Sequence, residues 1–300
     1  MHLKHILAPL AFLCPIVAAM AQGHLAISEL LFQPHSGEAE YVELYNAGDA
    51  PVDLADYHIV RWIGDSLGRH YPLPSTTVKA HGYIVITRNA ASVAANYTVK
   101  YPLLLVECSL PPYPDKGGAV ILCKADGSLV ERLDYSPSMH SRLLRDKAGV
   151  SLERRSFSQP ANEASNWFSA SSTCGYGTPG YENSQSRETL AEESAFSLSS
   201  PTLSPDGDDY EDEVVLTYTV ADEASVAARA EVYDLEGVRV RRLLNGAIIG
   251  SHGTVVWDGR DDNGKLLQPG HYLLLIQLYG MDGLHQTLRR SIAIIPTEGN

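Results

Sequence analysis

From Leu25 onward the chain alternates apolar and polar residues in short runs bounded by turn residues. Ala26 to Leu31, Glu40 to Tyr45, His58 to Trp62, Tyr83 to Thr87, Ala119 to Cys123 and Val130 to Tyr135 each read as half-buried strands, because successive side chains of an extended chain point to opposite faces. Ala90 to Ala95 reads as a brief helix. Between Tyr181 and Ser194 the apolar residues thin out into Glu, Asn, Ser, Gln and Arg, and residues 185–194 are read as a linker. A second series follows at Val214 to Val220, Ala228 to Tyr233, Val238 to Leu243, Thr254 to Trp257, Tyr272 to Leu278 and Thr287 to Ile295. Its turns are Leu235-Glu236-Gly237, Asp262-Asn263-Gly264 and Met281-Asp282-Gly283, where Gly and Asn tolerate positive φ. Strands at this spacing without helical crossovers predict an all-β chain of two antiparallel sandwiches, residues 22–184 and 195–300. A doubly wound enzyme fold does not fit this pattern.

The first residues belong to neither series. Lys4 precedes an apolar run from Ile6 to Ala19, and Ala19-Met20-Ala21 has the small-x-small pattern of a cleavage site, so residues 1–21 are read as a signal peptide cut before Gln22. The run is shorter than the roughly 20 residues of a spanning helix and contains Pro9 and Pro15. Cys14 follows Leu13, where a lipoprotein signal calls for a small residue. The expected location is therefore the periplasm, the outer-membrane surface or the extracellular medium. Such a setting permits disulfides, and Cys108 with Cys123 is the expected pair, since Pro111, Pro112, Pro114, Gly117 and Gly118 lie between them. The alternative is three buried thiols, with Cys174 as the third.

Charge narrows the partners. The chain has 36 acidic and 23 basic residues, a formal charge of −13, and loss of Lys4 with the leader makes it one unit more negative. Nucleic-acid affinity rests on Lys and Arg neutralising phosphates, so no nucleic-acid partner is expected. Arg154-Arg155 and Arg239 to Arg242 are short basic patches of the kind that solvate a strand face.

Part of the acidity is concentrated. Asp206, Asp208, Asp209, Glu211 and Asp212 gather oxygen donors as a hard cation such as Ca²⁺ requires, although Tyr210 and Glu211 break the EF-hand pattern; the competing reading is a solvated acidic turn. Gly64-Asp65-Ser66-Leu67-Gly68 matches a G-x-S-x-G nucleophile motif, with Asp282 and His285 as nominal partners for an esterase. That chemistry needs a strand-to-helix turn behind Ser66, and Tyr71-Pro72-Leu73-Pro74 offers no helical period there. The His residues show no His-x-His or His-Glu-x-x-His spacing, which leaves zinc without a sequence signature.

Two ordered sets of residues resemble known families. Ile27-Ser28-Glu29-Leu30, Glu40 to Asn46, Val52-Asp53-Leu54 with Tyr57, Gly82 to Ile86, Ser151 to Arg154, Asn166-Trp167 and Gly177-Thr178-Pro179-Gly180 resemble the lamin tail domain, an immunoglobulin-like sandwich that bacteria also export. Pro205-Asp206-Gly207, Val232 to Gly237, Trp257 to Gly264 and Pro269-Gly270-His271-Tyr272 resemble the immunoglobulin-like domain of the flagellar hook-capping protein, and some of these pieces recur in sorting domains of the type IX secretion system. Neither family is catalytic by itself. The resemblance implies a noncatalytic exported module that binds an envelope or surface protein or a glycan; the alternatives are a subunit or cargo of a type IX-like system, and an esterase using Ser66. The expected contact surface is the Trp62 to Tyr71 loop, where Trp62, Arg69, His70 and Tyr71 have the character of interface anchors, with Trp62 as a core residue the competing reading. Trp167 and Trp257 are expected in the cores.

Overall fold

The computed structural model describes residues 24–63, 66–187, 195–220, 225–280 and 283–296. The proposed signal peptide and residues 188–194 of the proposed linker lie outside the described residues.

The first unit is built from β1 (Leu25–Leu31), β2 (Tyr41–Asn46), β3 (Val52–Asp53), β4 (Tyr57–Ile63), β5 (Ser66–Pro72), β6 (Thr77–Val78), β7 (Tyr83–Thr87), β8 (Leu105–Glu107), β9 (Gly118–Lys124), β10 (Leu129–Tyr135), β11 (Leu152–Arg154) and β12 (Trp167–Ser169), with helix α1 (Ala90–Asn96) after β7. A six-stranded sheet, in the order β12-β11-β1-β2-β7-β8, faces a four-stranded sheet, β10-β9-β4-β5. Between them Leu25, Ile27, Leu44, Ile59, Leu122, Leu133 and Trp167 form one apolar core. Trp167 donates its indole N–H to the Ala161 carbonyl at 2.7 Å, which satisfies the buried donor of this side chain.

Alternation finds these strands but misjudges the polar side of two of them. Every residue of β1 and β2 is buried, on both faces. The outer face of the six-stranded sheet is covered by α1, which packs Val93 and Tyr97 onto Leu31, Tyr41 and Val85, and by the segment from Tyr176 to Arg187. Glu29, Glu43 and Glu153 therefore sit side by side under protein, paired in register across β11, β1 and β2.

The second unit contains β13 (Ala195–Leu198), β14 (Thr202–Leu203), β15 (Val214–Thr219), β16 (Val226–Tyr233), β17 (Arg239–Ile249), β18 (His252–Trp257), β19 (Gly270–Gly280) and β20 (His285–Ile294). Its sheets, β13-β15-β18 and β14-β20-β19-β16-β17, enclose Leu216, Val232, Trp257, Leu274, Ile276 and Ile292. Two β-sandwiches in an all-β chain are what the alternation predicts, and Trp257 lies in the core with its N–H on the Arg260 carbonyl at 3.1 Å.

The units meet directly. The Ser184 carbonyl accepts from the Ser251 N–H at 2.9 Å, the Ser251 hydroxyl reaches the Ser186 carbonyl at 2.8 Å, and the Ser172 hydroxyl reaches the Ile248 carbonyl at 2.7 Å. Gly250 allows this approach, since a Cβ there would stand 2.2 Å from the Ser184 carbonyl oxygen. Gln185 and Arg187, at the start of the proposed linker, are buried.

One expectation is corrected. Cys108, Cys123 and Cys174 are all free thiols. Cys108 follows β8 and packs on the main core, whereas Cys123 points to the opposite face of its own sheet beside Val60 and Ile121, so the strand that carries Cys123 aims it away from Cys108. Burial raises all three thiols, Cys108 to about 11, so they are un-ionised at neutral pH.

Candidate functional site

The Trp62 to Tyr71 segment, expected as a loop, is the β4–β5 hairpin, and β5 is an edge strand. Strand pleating divides the four expected anchors between two faces. Tyr71 pairs with Ile59 and turns inward, buried, with the Arg69 guanidinium over its ring at 5.0 Å. These two line a groove of about 490 Å³ with Arg88, Glu107 and Cys108 at the open side of the sandwich. Trp62 and His70 take the other face, where His70 pairs with Val60 and Trp62 packs on Val60, Ile121 and Cys123.

That outer face has several features of a contact surface. The guanidinium of Arg132 lies 4.2 Å from the Trp62 ring centroid, held there by Asp134 at 2.8 Å. Leu67, opposite Trp62 at the hairpin end, keeps 42% of its surface exposed, and Ile63, on the other face of β4, keeps 51%. Apolar side chains this open on a short rigid hairpin, next to a half-buried Trp stacked by Arg, give a small amphipathic surface on fixed strands.

Ser66 opens β5 and donates to the Ile63 carbonyl at 3.3 Å. A strand follows it, so no helix N-terminus stands behind its hydroxyl. His285 begins β20 in the other sandwich, packed edge-on against Tyr279; Asp65 and Asp282 lie outside the described residues.

The acidic turn is more ordered than a solvated run of charges. Asp206, Asp208 and Asp212 each bring a carboxylate oxygen within 4.8 Å of the others. Backbone amides set them: Asp212 accepts from Gly207 N at 2.7 Å and Asp209 N at 2.8 Å, and Asp208 from Tyr210 N at 2.8 Å. Asp209 and Glu211 are not in this group. Glu211 turns back to the hydroxyls of Ser200 and Thr202, at 2.9 and 2.7 Å. Asp209 and Glu211 both have positive φ, 67° and 53°, which tightens the turn and brings Asp208 and Asp212 round to one side.

The polar centre that the sequence does not announce is the buried glutamate row. Glu29 accepts from the Tyr41 hydroxyl at 2.6 Å, from Thr178 N at 3.0 Å and from the Ser151 hydroxyl. Glu43 accepts from Gly180 N at 2.6 Å, and Glu153 from the Ser184 hydroxyl at 2.7 Å and Gln185 N at 2.9 Å. Burial, then the charge of Glu29, pushes Glu153 up to about 8; burial also raises Glu29, and raises Glu43 well above the ordinary carboxyl range. These contacts make the row a strap for the Thr178 to Gln185 segment, which leads straight to the junction with the second sandwich. The Gly177-Thr178-Pro179-Gly180 and Ile27-Ser28-Glu29-Leu30 pieces are the signal that could have linked them.

Comparison with known proteins supports the first sandwich. Residues 18–137 match the family model described as Lamin Tail Domain. No curated protein matches the chain. Similar solved structures include dimeric latent PorU from Porphyromonas gingivalis, at 10% identity and TM-score 0.28, covering 95% of this chain and 21% of that one. FlgD from P. aeruginosa is 21% identical at TM-score 0.23, over 35% of this chain and 78% of that one. PorZ, described as an essential bacterial surface component of the type-IX secretion system of Porphyromonas gingivalis, is 11% identical at TM-score 0.26, over 90% of this chain and 30% of that one. The chain thus spans about a fifth of PorU, and likenesses at these TM-scores carry no functional argument.

Proposed function

We propose that this chain is an exported, noncatalytic binding module of the bacterial envelope or cell surface that engages a protein or glycan through the outer face of the β4–β5 hairpin. The observation that supports this reading is the hairpin surface itself: exposed Leu67 opposite a Trp62 stacked by Arg132, on an edge strand. The Lamin Tail Domain match over residues 18–137 is consistent with it, since the resemblance to that family implies no catalysis of its own. No helix among the described residues is long and apolar enough to cross a membrane. The test is retention of envelope components by the mature chain, compared with Trp62→Ala and Leu67→Ser. A defined partner held by the wild type and lost by both variants supports the hairpin; equal retention by all three moves the contact surface elsewhere.

A further inference from the structure

Charge in the second sandwich is sorted by sheet. Residues 195–300 hold sixteen acidic and eight basic side chains. Six of those eight bases, Arg229, Arg239, Arg241, Arg242, Arg289 and Arg290, sit on the five-stranded sheet, whose strands carry a single acid, Glu231. Strand alternation puts four of the arginines on the outer face with Glu231. Arg229 and Glu231 alternate with the core residues Ala228, Ala230 and Val232; Arg242 pairs with Glu231, Arg239 with Tyr233, and Arg289 with Leu275, itself opposite Glu231.

The one acid is already engaged. Glu231 is buried and accepts from Arg242 Nε at 2.9 Å and from the Tyr233 hydroxyl at 2.8 Å, with Arg239 at 3.4 Å; Asp262, from the adjoining loop, also lies 3.4 Å from Arg239. Arg229 shares the field of Glu231 without an ion pair to it. Arg229 and Arg289 are exposed and have no ion-pair partner among the described residues. Two uncompensated guanidiniums therefore stand on one face of an otherwise acidic unit, a surface complementary to an anionic partner.

The neighbours of Arg229 select the kind of anion. Asn245, Arg229, Gln277 and Thr287 stand in register on four adjacent strands, one polar row across the sheet, and Arg289 is two residues from Thr287 on the same face. At a strand spacing of about 4.8 Å the row is about 14 Å long. An extended peptide docks on the main-chain groups of a sheet edge and needs pockets for its side chains, and this polar row over the sheet face offers neither. Amide, hydroxyl and guanidinium groups side by side match the hydroxyls and carboxylates of a uronic-acid chain, since a guanidinium holds a carboxylate on two parallel N–H donors. At its β17 end the row opens into a groove of about 880 Å³ between the sandwiches, where Arg229 and Asn245 are joined by Arg145 and Tyr176. The acids of that groove, Glu38 and Asp146, accept from their own loops, from His35 N at 3.2 Å and Ala148 N at 3.0 Å. We propose that this face, centred on Arg229 and Arg289, binds a carboxylated polysaccharide, at a site separate from the β4–β5 hairpin.

The experiment is calorimetric titration of the mature chain with polygalacturonate, alginate and hyaluronate, with methyl-esterified polygalacturonate as the uncharged control. Binding of at least one of the three acids is expected, and no binding of the ester. Affinity should fall at least tenfold in Arg229→Gln combined with Arg289→Gln, at an unchanged melting temperature, and stay the same in Lys265→Gln, a base of the same sandwich outside the sheet. No binding of any of the three by the wild type, or equal affinity in the paired Gln variant, would overturn the proposal. Poly-glutamate or duplex DNA bound as tightly as the polysaccharide would show a face that reads charge alone, which sinks the glycan assignment.

Discussion

Glu29 and Glu153 share one hydroxyl: Thr178 Oγ1 lies 3.1 Å from the first carboxyl and 2.9 Å from the second. A hydroxyl has a single proton to donate, so one of the two carboxyls must be protonated and donate to Thr178 in return. Glu29 already collects Tyr41, Ser151 and the Thr178 amide, which suits it to keep the charge, whereas Glu153 is pushed up to about 8 by burial and by Glu29.

This proton makes folding depend on pH. Unfolded, Glu153 returns to its ordinary 4.5; folded, it holds its proton up to about 8. The stabilisation is fully present below pH 4.5 and is lost as pH rises through about 8, because the folded state binds the proton more tightly. The melting temperature should therefore fall across that window, and Glu153→Gln, which donates an N–H in place of the O–H, should flatten the fall. An unchanged slope in the variant would place the proton elsewhere.

His140 works in the opposite sense. It is buried against Phe32, its Nδ1 lies 3.0 Å from the Ser169 hydroxyl, and its Nε2 has no partner. Burial, with help from Lys147, lowers it from 6.5 to about 4. Its contribution is fully present above pH 6.5 and is lost as pH falls through about 4. An NMR titration should show one imidazole still neutral at pH 5 in the folded protein, absent from His140→Gln; titration of every ring near its ordinary value would contradict this.

Gly250→Ala is expected to separate the two sandwiches without unfolding either. The added methyl meets the Ser184 carbonyl oxygen, a main-chain atom that cannot swing aside, at 2.2 Å. Scanning calorimetry should resolve the unfolding into two transitions, with faster proteolysis in residues 185–194. A single transition at the wild-type temperature would show that the junction is not closed through this contact.

For the acidic turn, calcium is expected to raise the melting temperature of the wild type, because it relieves repulsion among Asp206, Asp208 and Asp212. Asp208→Asn combined with Asp212→Asn should abolish the rise, and Asp209→Asn, outside the group, should not. Magnesium, which resists dehydration, serves as the comparison ion.

The strands were legible because a period of two is a property of the backbone, and both cores, with Trp167 and Trp257, follow from it. Alternation says which residues share a face, but it cannot say what covers that face. Glu29, Glu43 and Glu153 read as solvent positions until the strap from Thr178 to Gln185 is laid across them. The anchors at Arg69 to Tyr71 show the complementary limit: consecutive residues look like one patch, yet a strand sends Arg69 and Tyr71 to one side and His70 to the other. His58 and His70 become neighbours only through hairpin register, which depends on residues between them that carry no recognisable turn signal beyond Gly64 and Gly68.

The junction at Ser184, Gly250 and Ser251 also bears on reach. Main-chain carbonyls tied by N–H and O–H donors resist swivelling more than a loose tether would, so a contact on the first sandwich and one on the second are presented at a set span. Toward a single extended partner, two weak contacts at a matching span act as one strong one, and at the wrong span the second contributes nothing. On the proposed binding function, such a junction would make the pair of sandwiches a gauge, selective for the spacing of the sites it grips as well as for their chemistry.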